Sequence, residues 1–222
     1  MKQGDNPNNR VLILTGGHME EELVRRQMDR NDYSLIIAAD HGLIPADRMG
    51  IRPDYIVGDF DSVPEELVEK YNILSTPIQT FPREKDKTDT QIAIELALMN
   101  NAGTIDILGA TGSRLDHVFA NVHLLLLPLQ LNIDACILDS NNKIYLKKES
   151  FFISQKEQYG NFVSLLPFSE KVRGLTLKGF KYPLNQIILS AGSSLGISNE
   201  IIEDEAAGEF AKGVLLVTES KD

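Results

Sequence analysis

The sequence predicts an α/β amino-terminal domain, with a mainly parallel sheet covered by helices, followed by a carboxyl-terminal all-β sandwich domain. In the first half, short continuous apolar runs alternate with segments of helical periodicity, as in sheets that are covered on both faces. After residue 139, short apolar runs are separated by turn-forming residues, without a convincing amphipathic helix. We therefore expect two domains, at residues 1–140 and 141–222, and find no internal repeat.

Each element of the first domain follows from a local pattern. Apolar runs at residues 11–14, 35–39, 55–57, 105–108 and 135–138 predict buried strands. Helices are predicted at residues 20–28, after the Gly16-Gly17 break, and behind Pro64, which suits a first helical turn. The spacing of apolar residues predicts two more, one that begins at Thr88 or Asp89 and one at residues 118–127.

The second domain is predicted from six short apolar runs, at residues 144–146, 151–153, 162–166, 175–177, 187–189 and 214–217. Turn formers such as Asn141-Asn142, Gly160-Asn161 and Gly192 lie between them. Strands of this length and spacing are typical of a β-sandwich or a small barrel.

The composition narrows the possible functions. Of the 222 residues, 42% are hydrophobic and 24% are charged, as in ordinary globular proteins. The 32 acidic and 22 basic residues give a net charge of −10, so we expect no nucleic-acid partner, because such partners require basic surfaces. An acidic protein can still bind ATP when magnesium lies between its carboxylates and the phosphates.

The single cysteine and the short apolar segments lead us to expect a reduced, cytoplasmic setting. Cys136 cannot form an internal disulfide or a cysteine-based zinc site, and its apolar surroundings indicate a buried, inert thiol. Residues 1–10 lack the apolar core of a signal peptide. The longest apolar stretch, residues 124–127, is followed by Pro128 and is too short to span a bilayer, so we expect no membrane partner.

Three aspartates follow two neighbouring predicted strands. The segment Gly58-Asp59-Phe60-Asp61-Ser62 comes directly after one strand. Residues two apart in an extended chain project to the same side, so the carboxylates of Asp59 and Asp61 can approach the same point. Asp40 ends the preceding strand and adds a third carboxylate at the edge where α/β sheets bind ligands. The alternative is a turn in which Asp61 or Ser62 caps the next helix.

A second cluster combines charged residues with a helix start. In Lys85-Asp86-Lys87-Thr88-Asp89, Thr88 and Gln91 form a capping-box pattern, which explains part of the cluster structurally. Helix starts also bind anions, so the lysines suit a phosphate, and Asp86 or Asp89 suits its metal.

A third cluster is the glycine-rich turn Gly109-Ala110-Thr111-Gly112-Ser113-Arg114-Leu115-Asp116-His117, between a predicted strand and a predicted helix. Such a turn can expose backbone donors to an anion, and Arg114 adds a planar cation that matches phosphate oxygens. The alternative is a surface pair of Arg114 with Asp116, or a helix cap by Asp116. The turn is neither a Walker loop nor a dinucleotide fingerprint.

A serine hydrolase is disfavoured, although Gly192-Ser193-Ser194-Leu195-Gly196 matches the G-x-S-x-G nucleophile motif. That motif needs a strand-to-helix turn and a later histidine. The four histidines all precede it: His18, His41, His117 and His123. Strand-end aspartates, a lysine pair and a Gly/Arg turn instead suit magnesium-dependent phosphoryl transfer, in which the protein mainly positions groups and neutralises charge.

From about residue 35 to the carboxyl terminus, an ordered series of motifs resembles the thiamine pyrophosphokinase family, whose members transfer the β,γ-diphosphate of ATP to thiamine and release AMP. Besides the three clusters above, the series contains Asp40-His41-Gly42, Ile51-Arg52-Pro53-Asp54, Asn121, Gly179-Phe180-Lys181-Tyr182-Pro183-Leu184, Ser198-Asn199-Glu200 and Gly213-Val214-Leu215-Leu216-Val217. Each motif alone is modest, but the ordered set is highly specific.

The resemblance implies a catalytic and nucleotide-binding α/β domain, a thiamine-binding β-sandwich, and a homodimer whose subunits share the active sites. It implies Mg²⁺ as the cofactor and ATP and thiamine as substrates. The implied metal ligands are Asp40, Asp59, Asp61 and Asp89, and the implied catalytic residues are Asp59, Asp61, Lys85, Asp86 and Asp89. The implied nucleotide contacts are Asp40, Gly42, Lys87, Gly109, Gly112, Arg114, Asp116 and His117, and the implied thiamine contacts are Ser198 and Asn199.

Some points stay open at the level of sequence. The chain has no tryptophan, which the mammalian branch places beside thiamine, and His41 stands where the family commonly has glycine. Ser198 or Asn199 could simply form a turn, and Asp89 could orient or deprotonate the thiamine hydroxyl. Two other interpretations use the same residues: a metal-dependent phosphohydrolase, with water as the acceptor, and a non-catalytic nucleotide- or thiamine-binding module.

Overall fold

The computed structural model describes residues 9–80 and 86–222, which divide into a first compact unit that ends at Ser140 and a second that spans Asn141–Asp222. The strands of the first unit are β1 (Arg10–Leu14), β2 (Leu35–Ala39), β3 (Tyr55–Gly58), β4 (Ile78–Thr80), β5 (Thr104–Leu108) and β6 (Asp134–Leu138). They pair in the order β4-β3-β2-β1-β5-β6, and every pair is parallel. The central strand β1 is completely buried from Val11 to Leu14, as its continuous apolar run predicts.

Helices connect these strands. They are α1 (Glu21–Arg30), α2 (Leu43–Arg48), α3 (Glu65–Ile73), α4 (Asp89–Met99), α5 (Leu115–Leu124) and α6 (Leu126–Gln130), with a 3₁₀ turn at Asp40–Gly42. Thr88 caps α4, because its hydroxyl accepts a hydrogen bond from the backbone N–H of Gln91 at 3.2 Å. Within the described part of the chain, none of these helices is long and apolar enough to cross a membrane.

The second unit is built from antiparallel strands. They are β7 (Asn142–Lys147), β8 (Phe151–Ser154), β9 (Phe162–Pro167), β10 (Lys171–Lys178), β11 (Leu184–Ser190), β12 (Glu205–Glu209) and β13 (Leu215–Ser220). One set pairs in the order β7-β13-β9 and the other in the order β11-β10-β12-β8. The fold class predicted from the sequence is confirmed: a mainly parallel α/β domain precedes an all-β domain.

Three elements escaped the sequence patterns because none of them has a strong local signal. Strand β4 has only three residues, and helix α2 is a six-residue segment that contains Pro45. Strand β12 has the sequence Glu-Ala-Ala-Gly-Glu, which lacks β-branched and aromatic residues. Its conformation is instead imposed by pairing with β8 on one side and β10 on the other.

A buried polar cluster holds β1, β5 and β6 together. Asp106, in the middle of β5, is fully buried, and its Oδ2 accepts hydrogen bonds from Arg10 Nε at 2.7 Å and from the Tyr33 hydroxyl at 2.6 Å. Its Oδ1 accepts a bond from the Cys136 thiol at 3.3 Å, so the thiol has a polar partner. Cys136 is half-buried, and the expectation of a buried thiol in apolar surroundings was wrong. The hydrogen-bonding capacity of this buried carboxylate is filled by its donors, and its removal would leave the Arg10 cation without its partner.

Asp106→Ala is expected to lower the free energy of unfolding by about 3 kcal/mol, because Arg10 and Tyr33 then lose their buried acceptor. Urea denaturation at neutral pH measures the effect. The control is Asp29→Ala, at an exposed position in α1, which should change the free energy by less than about 0.5 kcal/mol. Equal effects of the two variants would contradict the role given to Asp106.

A second packed region lies beneath the ends of β2 and β3. Its buried members, which we call the Tyr71 cluster, are Ala38, Leu43, Ile56, Val63 and Tyr71. The Tyr71 hydroxyl donates a hydrogen bond to Asp47 Oδ1 at 3.1 Å. Burial, followed by this bond and the charge of Asp47, raises the pKa of Tyr71 to about 12.

The raised pKa of Tyr71 predicts a loss of stability in alkali. The folded pKa lies above the unfolded value of about 10, so the stabilisation is complete below pH of about 10 and is lost as the pH rises toward about 12. Urea titrations across this range are expected to show a shallower decline in the free energy of unfolding for Tyr71→Phe than for the wild type. Identical slopes would rule out a stabilising neutral phenol.

Candidate functional site

Three carboxylates meet at the carboxyl ends of β2 and β3. The two strands are parallel neighbours, with Ala39 opposite Val57, so the residues that follow them lie at the same edge of the sheet. Carboxylate oxygens of Asp40, Asp59 and Asp61 lie within 4.8 Å of one another, and we call these residues the carboxylate cluster. The acidic side chains of two separate loops are therefore brought together, as the strand-end pattern predicts.

The backbone at this edge is unusual in ways that place the carboxylates. Asp40 has φ of 47° and Phe60 has φ of 59°, both in the left-handed region that few non-glycine residues adopt. Phe60 packs against the Tyr71 cluster, which anchors the loop between the two aspartates that flank it. Gly58 has φ of 156°, and a Cβ at this position would lie only 3.2 Å from the Cα of Asp40. Close approach of the two strand ends thus depends on glycine.

The electrostatic environment of Asp40 disfavours its ionised form. Partial burial raises the pKa of Asp40 above its ordinary value, and the negative charges of Asp89 and Asp59 raise it further. Hydrogen bonds from the His41 backbone and the Ser62 side chain act in the opposite direction. Asp89, the first residue of α4, is therefore close enough to act on the cluster electrostatically. Added positive charge at this edge would relieve the repulsion.

A hydrogen-bonded chain leads from the carboxylate cluster to His41. The Ser62 hydroxyl donates to Asp40 Oδ2 at 3.1 Å, and His41 Nδ1 lies 2.9 Å from the same hydroxyl oxygen. Pro64 occupies the N-cap position of α3, and its side chain makes no capping hydrogen bond. The Ser62–Asp40 contact joins residues 22 positions apart, so local spacing gave no signal for it.

The helix start at α4 is ordered by its cap, and one of its charged residues is already paired. Lys87 Nζ lies 2.7 Å from Glu95 Oε2, and the Glu95 pKa is lowered mainly by this hydrogen bond. Asp86 is exposed and lies two residues before the Thr88 cap. Lys85, an expected catalytic residue, lies outside the described residues.

The glycine-rich turn is fixed to the loop after β1 by backbone hydrogen bonds. Gly17 N–H donates to the Gly109 carbonyl at 2.7 Å, and His18 N–H donates to the Thr111 carbonyl at 2.9 Å. The buried Asn121 side chain donates to the Ala110 carbonyl at 2.8 Å. Gly109 has φ of 73°, and a Cβ there would lie 2.4 Å from the Thr15 carbonyl oxygen, so this position also requires glycine.

Arg114 and Asp116 form the surface pair that the sequence left open as an alternative. Two parallel hydrogen bonds join them, Nε to Oδ1 at 3.2 Å and Nη2 to Oδ2 at 2.6 Å. Their mutual hydrogen bond lowers the pKa of Asp116. Both side chains are exposed, as are Gly112 and His117. Gly42 is buried instead, and a Cβ there would lie 2.1 Å from the Leu14 carbonyl oxygen, which indicates a packing role.

The two residues expected to contact thiamine differ in the second unit. Asn199 is only 3% exposed, and its amide bridges the backbone of Tyr182 by accepting from the N–H at 3.0 Å and donating to the carbonyl at 2.8 Å. This role is structural, but it joins two distant segments and is not the local turn that the sequence left open as an alternative. Ser198 is exposed, with φ of 55°, and its backbone N–H donates to Ser164 Oγ at 3.0 Å.

Sequence models of one family cover most of the chain. Residues 29–137 match the model described as thiamin pyrophosphokinase, catalytic domain, and residues 150–215 match the one described as thiamin pyrophosphokinase, vitamin B1 binding domain. The first matched segment contains the carboxylate cluster, and the second contains Ser198 and Asn199.

Individual relatives agree with these matches. Thiamine pyrophosphokinase of Bacillus subtilis (strain 168) is 35% identical over 192 residues, which cover 86% of this chain and 90% of the relative. A crystal structure of the Bacillus subtilis enzyme superposes with a TM-score of 0.86 and 32% identity, covering 96% of this chain and 100% of that one. The crystal structure of thiamin pyrophosphokinase from Geobacillus thermodenitrificans gives a TM-score of 0.82 and 33% identity, with coverages of 96% and 98%.

Asp40→Asn is expected to raise the free energy of unfolding at neutral pH in the presence of a chelator. The raised pKa of Asp40 means that its ionised form is disfavoured in the folded state, and asparagine keeps the shape and tolerates the positive φ. The gain is at most about 1 kcal/mol, because water screens a partly exposed group.

The stability difference between Asp40→Asn and the wild type should depend on pH in a definite direction. The wild type loses stability as the pH rises through the raised pKa of Asp40, so the advantage of the variant should disappear in acid and be complete near neutrality. Urea titrations in chelator at several pH values measure it. A less stable variant at neutral pH would show that Asp40 is stabilised, not strained, by its neighbours.

Proposed function

The chain belongs to the thiamin pyrophosphokinase family, and we propose that the carboxylate cluster of its first unit holds the Mg²⁺ on which the reaction depends. The reaction is the transfer of the β,γ-diphosphate of ATP to the hydroxyl of thiamine, which yields thiamine diphosphate and AMP. The observation that carries the proposal is the approach of Asp40, Asp59 and Asp61 oxygens to within 4.8 Å of one another.

The donor chemistry of the cluster fits magnesium. Its ligand atoms are all carboxylate oxygens, and Mg²⁺ commonly binds through a few carboxylates together with substrate phosphates. Partial burial, and after it the charges of Asp89 and Asp59, raises the pKa of Asp40, and a cation bound at this edge would favour its ionised form. We include Asp89 among the proposed ligands, since its charge acts on Asp40. When bound, the ion would supply charge neutralisation on the phosphates.

Contacts to the nucleotide are proposed from the two segments at helix starts. Arg114 and Lys87 each have an acidic partner, but both cations are exposed, and ion pairs in contact with water contribute little to stability. A phosphate can therefore replace the carboxylate partner at little cost, with stronger charge-assisted hydrogen bonds. The further proposed contacts are Lys85, Asp86, Gly109, Gly112, Asp116 and His117; Gly42, whose position is buried, would act by allowing close packing.

The bond changes follow from the reaction. The hydroxyl oxygen of thiamine attacks the β-phosphorus of ATP, a new oxygen–phosphorus bond forms, and the bond to the α,β-bridging oxygen breaks as AMP leaves. We propose that Asp89 orients the thiamine hydroxyl or accepts its proton. Its place as the first residue of α4, beside the cluster, supports this assignment.

The second unit is proposed to supply contacts to thiamine. Exposed Ser198 is the better candidate for direct contact, whereas Asn199 would act by holding the Tyr182 segment in place. The match of residues 150–215 to a vitamin B1 binding domain supports this assignment. As the resemblance implies, we also propose a homodimer with shared active sites. From the single cysteine and the short apolar segments, we propose a cytoplasmic setting.

Incubation with ATP, Mg²⁺ and thiamine is expected to release AMP and thiamine diphosphate in equal amounts, and to release neither without thiamine. Asp59→Asn and Asp61→Asn should each lower kcat roughly 100-fold while leaving the fold intact, because a ligand charge is lost with little change of shape. Chromatography of the adenine nucleotides, together with fluorescence of oxidised thiamine diphosphate, measures both products.

The control is Asp29→Asn. Helix α1 follows β1 and leads back toward the start of β2, so Asp29, near its carboxyl end, lies away from the strand ends that carry the cluster. This variant should keep the wild-type rate. Thiamine-independent release of phosphate would instead indicate a hydrolase, and ligand binding without turnover would indicate a regulatory module. Near-normal rates in both Asp59→Asn and Asp61→Asn would overturn the metal assignment.

A further inference from the structure

We propose that His41, acting through the Ser62 hydroxyl, is a positioning residue that orients the Asp40 carboxylate for the divalent ion. The inference rests on the proposed function and gives a role to the residue that the sequence left unassigned. It follows from a continuous chain of contacts: His41 Nδ1 lies 2.9 Å from Ser62 Oγ, which lies 3.1 Å from Asp40 Oδ2.

The chemistry of the three groups fixes the direction of these hydrogen bonds. A carboxylate that binds a metal is ionised and can only accept, so the Ser62 hydroxyl donates its single proton to Asp40. The Ser62 oxygen is then left as an acceptor, and His41 Nδ1 must carry a proton and donate to it. Each group is thereby held in one orientation. Hydrogen-bonded partners of metal-binding carboxylates commonly have this orienting role.

Asp40 has a particular need for such support. Its backbone has φ of 47°, and the charges of Asp89 and Asp59 oppose its ionised form. Asp59 and Asp61 belong to one loop, in which the Asp61 N–H lies 3.3 Å from Asp59 Oδ1, whereas Asp40 comes from a different strand. Ser62 therefore links the loop after β3 to the carboxylate after β2, and it fixes the spacing of the ligands.

The base of the His41 side chain is itself held in place. A Cβ on Gly16 would lie 2.8 Å from the His41 Cβ, so the loop after β1 packs directly against it. This contact restricts the position of the His41 Cβ, and the hydrogen bond to the Ser62 hydroxyl then restricts the orientation of the imidazole ring. The carboxylate cluster and its hydrogen-bonded neighbours are thus held by the loops that follow three neighbouring strands, β1, β2 and β3.

Binding of Mn²⁺ to the full chain, measured without ATP by the loss of the electron paramagnetic resonance signal of free Mn²⁺, tests the role of His41 separately from activity. His41→Ala and Ser62→Ala should each weaken the affinity about tenfold. The double variant should be no weaker than Ser62→Ala alone, because His41 acts only through Ser62. Unfolding in chelator checks that all variants fold.

Conservative replacements separate positioning from other roles of His41. In His41→Asn, the side-chain N–H₂ lies near the position of Nδ1, so the Mn²⁺ affinity should be within about threefold of the wild type. Ser62→Thr keeps a hydroxyl and should retain a similar affinity. The matched control is His123→Ala, at an exposed histidine in the last turn of α5, which should bind Mn²⁺ like the wild type. With saturating Mg²⁺, His41→Ala should regain most of its kcat.

Several outcomes would overturn the inference. Unchanged Mn²⁺ affinity in His41→Ala and Ser62→Ala would do so, as would additive losses in the double variant. Failure of His41→Asn to restore affinity would indicate that the imidazole binds the ion directly. If Asp59→Asn abolishes Mn²⁺ binding while the His41 and Ser62 variants bind normally, the positioning role fails and the metal site stands. If the wild type does not bind Mn²⁺, both fail.

Discussion

Repulsion among carboxylates at one edge of the parallel sheet is the constraint on which the arrangement of the first unit depends. Aspartates from separate loops would move apart in water, so the backbone must hold them together. The register of β2 against β3, the missing side chain at Gly58 and the burial of Phe60 together hold them. Apolar packing beneath the edge thus offsets the backbone strain and the crowding of charge above it.

Charged contacts elsewhere in the first unit fall into two kinds, and burial separates them. Asp106 is enclosed and accepts bonds from several donors, so its removal would leave Arg10 and Tyr33 without their acceptor. The Arg114–Asp116 and Lys87–Glu95 pairs are exposed and contribute little to stability. In these exposed pairs, the cation can exchange its carboxylate partner for a more strongly bound anion. Such an exchange suits side chains that face water when no ligand is bound.

Most of the fold could be predicted from the sequence, because apolar runs and turn residues report burial directly. The convergence of Asp40, Asp59 and Asp61 was also predictable, since parallel strands bring their carboxyl ends to one edge. The elements β4, α2 and β12 were not, because tertiary pairing and not local preference determines them.

The detailed partners of the site residues could not be predicted either. The contact of Ser62 with Asp40 spans 22 residues, and periodicity gives no signal over that separation. Asn199 shows the same limit, because the sequence could not show that its amide bridges the Tyr182 backbone. In both cases the deciding information is the distance between two loops, which only the folded chain contains.

The glycine-rich turn has a consequence for the kind of ion that this acidic chain can admit. Its carbonyl groups at Gly109, Ala110 and Thr111 already accept hydrogen bonds from inside the first unit. These bonds direct the three carbonyl oxygens toward the protein, so they oppose an incoming oxyanion less than outward-facing carbonyls would. In a chain with a net charge of −10, the internal hydrogen bonds of this turn thus reduce one source of repulsion toward anions.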